Sequence, residues 1–138
     1  MHIPHVNYLA VLVSAIAIFL LGGLWYSKAL FATKWIALQG KTEEQLKQGS
    51  TPMAPALLIA FICGFLISWT LAVILNHFRP LDVTKGIAVG ALCWIGFAGA
   101  TSFANGIFSS KPKALWLIDS GYNLVSFIIA GAILGCWR

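Results

Sequence analysis

The chain has 138 residues, of which 59% are hydrophobic and 9% charged, and it carries a formal net charge of +5 at pH 7. Soluble domains have roughly a quarter charged residues, so this composition excludes a water-soluble helical domain, whose helices would each need a polar face. The positive excess is not a nucleic-acid footprint either, because the basic residues fall between apolar stretches, where they set orientation and meet lipid headgroups.

Met1–Ser27, Gln48–Phe78, Gly86–Ser110 and Ser120–Trp137 contain no Asp, Glu, Lys or Arg. An α-helix rises 1.5 Å per residue, so about 20 apolar residues cross the roughly 30 Å hydrocarbon core. The pattern predicts an all-α polytopic membrane protein, one domain over residues 1–138. Its four transmembrane helices are expected near 7–26, 54–77, 86–108 and 114–137, with a short interfacial helix between the first two.

The first span follows Pro4 and closes at Trp25 and Tyr26, side chains that favour the headgroup level. Ala15-Ile16-Ala17 has the form of a signal-peptide cleavage site, but no Lys or Arg precedes the apolar run, which continues through Leu24. The segment is expected to stay as a span. Beyond Lys28, Phe31, Trp35 and Leu38 recur at i, i+4 and i+7 beside Lys34, the pattern of a helix lying in the membrane surface. Gly40 should stop it, and Thr42 with Gln45 reads as a capping box for another short helix through Lys47.

Ser50-Thr51-Pro52 marks the start of the second span, which must end before Pro80. This span carries Ala56, Ala60, Gly64, Ser68 and Ala72, a small residue at every fourth position. The third offers Gly86 and Gly90, then Gly96, Ala100 and Ala104. The fourth, introduced by Ser110 and Pro112, offers Gly131 and Gly135. In lipid, helices associate through close backbone approach rather than by hiding apolar area, and small residues permit that approach. One small bundle cannot bury all these faces, so a homo-oligomer is expected. The lipid bilayer, and another membrane protein, are the other partners that the pattern allows.

Asp119 is the one carboxylate inside an expected span, and with Tyr122 or Asn123 and then Ser126 it forms a polar stripe. Thr101, Ser102 and Asn105 fall at the same membrane level in the third span, as do Trp25 and Tyr26 in the first. Together these residues form a candidate polar site opening toward the loops. An ionisable group at membrane depth turns toward protein or water. One reading makes Asp119 an interfacial partner of Lys28, Lys111 or Lys113, with the Asn and Ser side chains joining helices. The other makes it the centre of a solute or proton site.

His2, His5 and His77 share the terminal side with Asp82, but His2 and His5 precede any firm helix, so they are weak metal candidates and no metal is assigned. Cys63, Cys93 and Cys136 have no paired-ligand spacing and read as small packing residues. No nucleophile-and-base arrangement, zinc signature or phosphate loop appears, so neither a catalytic residue nor a cofactor is expected. Four crossings put both termini on one side with Arg79, Lys85 and Arg138, and Lys28, Lys34, Lys41, Lys47, Lys111 and Lys113 on the other. The positive-inside rule then makes the first and third loops cytoplasmic and turns the termini outward.

Gly22-Gly23-Leu24-Trp25-Tyr26-Ser27, Leu30-Phe31, Lys34-Trp35 and Gly40-Lys41-Thr42-Glu43-Glu44 resemble the opening of a bacterial membrane-protein family, domain of unknown function 1761. Gly121-Tyr122-Asn123-Leu124-Val125-Ser126, with Gly135 and Trp137, resembles its last helix. The resemblance covers most of the chain and implies a four-helix protein of the bacterial inner membrane, with no activity to carry over. Two functional readings remain open. One is a self-associating protein that binds or passes a small solute or ion; the other is an accessory subunit that binds lipid or another membrane protein.

Overall fold

The computed structural model describes residues 3–40, 44 and 52–137. It consists of α1 (Tyr8–Trp25), α2 (Ala32–Leu38), α3 (Met53–Leu75), α4 (Val83–Phe108) and α5 (Lys113–Cys136). All but α2 are long and apolar enough to cross a membrane. The protein is an all-helical membrane protein, and its outward surface fits lipid: Leu20, Leu58, Leu92, Phe97, Phe108 and Leu117 are all exposed. The capping box at Thr42 and Gln45, the short helix through Lys47 and the Ser50-Thr51 start lie outside the described residues.

Local chemistry sets the helix ends. The Asn7 side chain accepts from the amides of Leu9 and Ala10, capping α1. Asp82 does the same for α4 by accepting from the Lys85 amide at 2.7 Å. The third helix therefore starts at Val83, ahead of the charge-free boundary at Gly86, because a cap and a first-turn lysine lie within the helical unit. Ser110 does not cap α5 with its side chain. It adopts φ +57°, and the Lys111 amide bonds the Gly106 carbonyl (2.8 Å) while the Ser110 amide bonds that of Ile107 (3.3 Å). This is the Schellman pattern that closes a helix, here α4.

The core lies in the terminal half of the bundle, where Val11 and Ile18 of α1 join Leu71 and Leu75 of α3, Leu81, and Ala130 and Leu134 of α5. On α3, the small-residue row divides in two. Gly64, Ser68 and Ala72 are buried, and a Cβ at Gly64 would lie 3.3 Å from the Ile18 side chain. Ala56 and Ala60, nearer the loops, line an open cleft.

The closest seam joins α4 and α5. A Cβ on Gly86 or Gly131 would overlap the other residue's carbonyl. A Cβ on Gly90 would come within 2.5 Å of the Phe127 carbonyl oxygen, and one on Gly135 within 2.6 Å of that of Asp82. These glycines are thus used within the chain's own bundle.

Beyond this seam, Trp94–Gly99 form a π-helical turn within α4. A π turn inserts one residue into the α-helical register. Carried on from Gly86 and Gly90, a uniform 3.6-residue period would bring Thr101 and Ala104 to the inward face. After the insertion, Gly99, Ser102 and Gly106 face inward, while Gly96, Ala100, Thr101, Ala104 and Asn105 are exposed. Gly96, Ala100 and Ala104 therefore do not share the packed face of Gly86 and Gly90.

The seam fixes what substitution should cost. Gly131→Val forces backbone apart and is expected to destabilise the protein by about 2–3 kcal/mol. Gly96→Ala, where a Cβ meets nothing within 4 Å, should leave stability unchanged or raise it by up to about 1 kcal/mol. Unfolding in mixed micelles with increasing dodecyl sulfate measures both.

Candidate functional site

The loop end of α1 is held by two reciprocal contacts with α5. The Trp25 indole Nε1 donates to the Ile118 carbonyl at 2.9 Å, and its ring occupies the space left by Gly121, where a Cβ would be 3.3 Å away. In the other direction, the Tyr122 hydroxyl donates to the Ile18 carbonyl at 3.0 Å and sits where a Gly22 Cβ would be only 3.0 Å away. Each helix thus lends a glycine to the other's aromatic ring and accepts that ring's polar hydrogen.

The chain then turns sharply. The Ser27 hydroxyl donates to the Leu24 carbonyl at 2.6 Å, and the Phe31 amide reaches back to the Trp25 carbonyl at 3.2 Å. This turn seats Phe31 against Trp25, with ring centroids 4.9 Å apart, and leads into α2. The turn presents Tyr26 to Asp119, and α2 presents Trp35. The Tyr26 hydroxyl donates to Asp119 Oδ1 at 2.7 Å, and Trp35 Nε1 donates to the same oxygen at 3.0 Å. The two rings meet edge to face at 6.0 Å, and Tyr26 meets Tyr122 at 5.6 Å. Within the short helix expected at the membrane surface, Trp35 turns its indole N–H to Asp119 and Phe31 stacks on Trp25, so both rings also dock on the bundle.

The second Asp119 oxygen faces a different partner. Lys111 Nζ lies 3.2 Å from Oδ2, carried there by the Schellman turn, and both side chains remain about one-third exposed. Exposed ion pairs contribute only about 0.2–1 kcal/mol, so Lys111 holds this oxygen loosely. Of the lysines considered for Asp119, Lys111 is the one that pairs with it.

Two adjoining clefts open beside this group. One, of about 620 Å³, is lined by Tyr26, Ala32, Trp35, Ile36, Met53, Ala56, Ala60 and Asp119. The other, of about 520 Å³, shares Tyr26, Met53 and Ala60 and adds Phe19, Gly22, Gly23, Leu57 and Tyr122. Both volumes are within the range of small-molecule sites, roughly 300–1,000 Å³, and the walls have the usual mainly apolar composition with a polar anchor.

Of the sequence-predicted residues, Asp119, Tyr26 and Tyr122 line these clefts, and Trp25 supports them from behind. Thr101 and Asn105 do not belong to the site, since the π turn leaves both on the exposed face of α4. Ser102 faces inward but joins a separate group, accepting from Trp116 Nε1 at 3.0 Å and lying 3.2 Å from the Ser120 hydroxyl. Ser126 donates to the Tyr122 carbonyl of its own helix. Asn123 is half-buried and makes no side-chain hydrogen bond among the described residues. Sequence reasoning missed Trp35 as a donor to Asp119; the available signal was an indole on a short helix beside an otherwise unassigned carboxylate.

At the opposite end, a pocket of about 270 Å³ is lined by residues that include His5, Asn7, Asn76, Arg79 and Trp137. His77 turns Nδ1 toward the Val73 carbonyl of its own helix, at 3.1 Å, and His2 lies outside the described residues. Among the described residues no three His, Cys, Asp or Glu side chains gather as metal ligands. Cys63 and Cys136 are exposed rather than packed, and Cys93 is half-buried.

If Tyr26 holds Asp119 more firmly than Lys111 does, Tyr26→Phe should lower stability by about 1–2 kcal/mol, as expected for loss of a charge-assisted hydrogen bond. Lys111→Gln should cost less than about 1 kcal/mol. The order of these two values in dodecyl sulfate unfolding is the check.

No curated protein and no solved structure matches the chain. The family described as "Protein of unknown function (DUF1761)" matches residues 9–135. That match takes in the Gly22–Ser27 turn and the Gly121–Ser126 stretch, whose residues form the reciprocal contact between α1 and α5, and this chain belongs to the DUF1761 family.

Proposed function

We propose that this protein binds a small solute in the loop-end cleft and acts as a binding or passage protein of the bacterial inner membrane. The observation that carries this reading is Asp119. A carboxylate is fixed by two neutral donors on the wall of a largely apolar cleft, with its second oxygen only loosely paired. A carboxylate serving only to tie helices together would be enclosed by its partners, whereas this one faces open volume.

The loops rich in lysine are cytoplasmic in this reading, and the termini face outward, following the positive-inside rule. Self-association is part of the proposal. Its support is the row Gly96, Ala100 and Ala104, which the π turn leaves exposed on the lipid-facing side of α4, while Gly86, Gly90, Gly131 and Gly135 are already used within the subunit. That row also supports the second reading, an accessory subunit that docks on another membrane protein.

Water access to the cleft separates the two. In a chain whose native cysteines are replaced by serine, Ala60→Cys should react with a charged, water-borne methanethiosulfonate at least tenfold faster than Leu66→Cys, which is exposed on the outer surface of α3. Equal, negligible rates at both positions would mean a lipid-filled groove and favour the accessory role.

A further inference from the structure

We propose that the ligand of the loop-end cleft is a lipophilic organic cation of single positive charge, which displaces the Lys111 ammonium from Asp119. This rests on the reading of the cleft as a solute site and specifies the chemistry of that solute. Three observations converge on it.

First, the two carboxylate oxygens are not equivalent. Oδ1 is occupied by the Tyr26 hydroxyl and the Trp35 indole, neither of which neutralises its charge. Among the described residues, Oδ2 is met by Lys111 alone, at 3.2 Å, from a side chain that is 36% exposed. The lysine can swing into water without uncovering a buried group, leaving one negative charge at the cleft wall. Lys111 therefore marks the charge of the group that would replace it, which approaches Asp119 from the cleft.

Second, the rest of the wall suits a hydrophobic body. Ile36, Met53, Ala56 and Ala60 are apolar, and Tyr26 and Trp35 add aromatic rings, with which cations interact favourably. About 620 Å³ accommodates a cation with several rings or a folded alkyl chain.

Third, the competing classes fit poorly. An anion meets the Asp119 charge, and among the described residues lining the cleft none is cationic. A neutral solute can offer the carboxylate a hydrogen bond but no charge, so it does not replace the Lys111 ammonium. A metal ion would need more anionic or imidazole ligands than Asp119, and among the described residues no such group exists.

The test uses three probes of similar bulk: tetraphenylphosphonium, neutral triphenylphosphine oxide and tetraphenylborate. Binding is measured by equilibrium dialysis against the full chain in zwitterionic lipid nanodiscs, with empty nanodiscs as the reference. The phosphonium should bind saturably and at least tenfold more tightly than the oxide or the borate. Asp119→Asn, which keeps an oxygen acceptor for Tyr26 and Trp35, should weaken it at least tenfold. Lys111→Gln, by removing the competitor, should tighten it about three- to tenfold. A bulky Ala60→Trp should abolish saturable binding.

If the oxide or borate binds as well as the phosphonium, or Lys111→Gln leaves the phosphonium affinity unchanged, the cation assignment is overturned. Loss of that binding in Ala60→Trp would then still support a solute cleft. If none of the probes binds above empty nanodiscs in either the wild type or Lys111→Gln, the cation assignment is overturned, and reaction of Ala60→Cys with the water-borne reagent then decides whether a hydrated cleft remains.

Discussion

The loop half of this molecule depends on a reciprocal exchange between α1 and α5, in which each helix gives up a Cβ to admit the other's aromatic ring. Trp25 rests at Gly121 and donates to the Ile118 carbonyl; Tyr122 rests at Gly22 and donates to the Ile18 carbonyl. Each bond, with its ring seated at the partner helix's glycine, fixes both the rotation and the height of the helix that makes it. Tyr26 follows Trp25, and Asp119 precedes Gly121 by two residues. Their meeting is a consequence of the same contact, and so is the direction in which the chain leaves α1 to form α2.

The two ends of the bundle are built differently. Toward the termini, glycines bring α4 and α5 into backbone contact, and leucine and isoleucine side chains fill the space between α1, α3 and α5. Toward the loops, Ala56 and Ala60 of α3 line an open cleft bordered by Tyr26, Trp35 and Asp119. A protein that needed only to be stable in lipid could continue its small-residue seam along the whole of α3. Here the row persists in sequence, but its loop-side members face a cleft. Small side chains at that level widen the opening instead of closing a contact.

Much of the fold was legible in the sequence because the bilayer imposes a length and an apolar content on each crossing. Asp119 also stood out there, as the one acidic residue that the helix periodicity drew into a span. The register of α4 was not legible. Nothing in Trp94-Ile95-Gly96-Phe97-Ala98-Gly99 announces a π turn, and a single inserted residue sends Thr101 and Asn105 outward and Ser102 inward. The role of Trp35 was hidden for another reason. Its spacing with Phe31 and Leu38 describes a surface helix equally well whether the indole meets headgroups or a carboxylate, and only tertiary placement distinguishes them. The family motif around Trp25 was visible as a motif, but its cause, the glycine on the partner helix, lies almost 100 residues away in the chain.

The contact most central to this description is the bond from the Trp35 indole to Asp119, because it joins the surface helix, the last span and the cleft. A proton–nitrogen correlation spectrum of ¹⁵N-labelled protein in nanodiscs reads it directly, with the Trp35 indole peak assigned by its loss in Trp35→Phe. An indole bonded to a carboxylate should resonate downfield and move upfield in Asp119→Asn, while the Trp116 indole, bonded to Ser102, stays in place. A Trp35 peak at the position of a lipid-exposed indole, unmoved by Asp119→Asn, would contradict the arrangement and remove the basis for a site at Asp119.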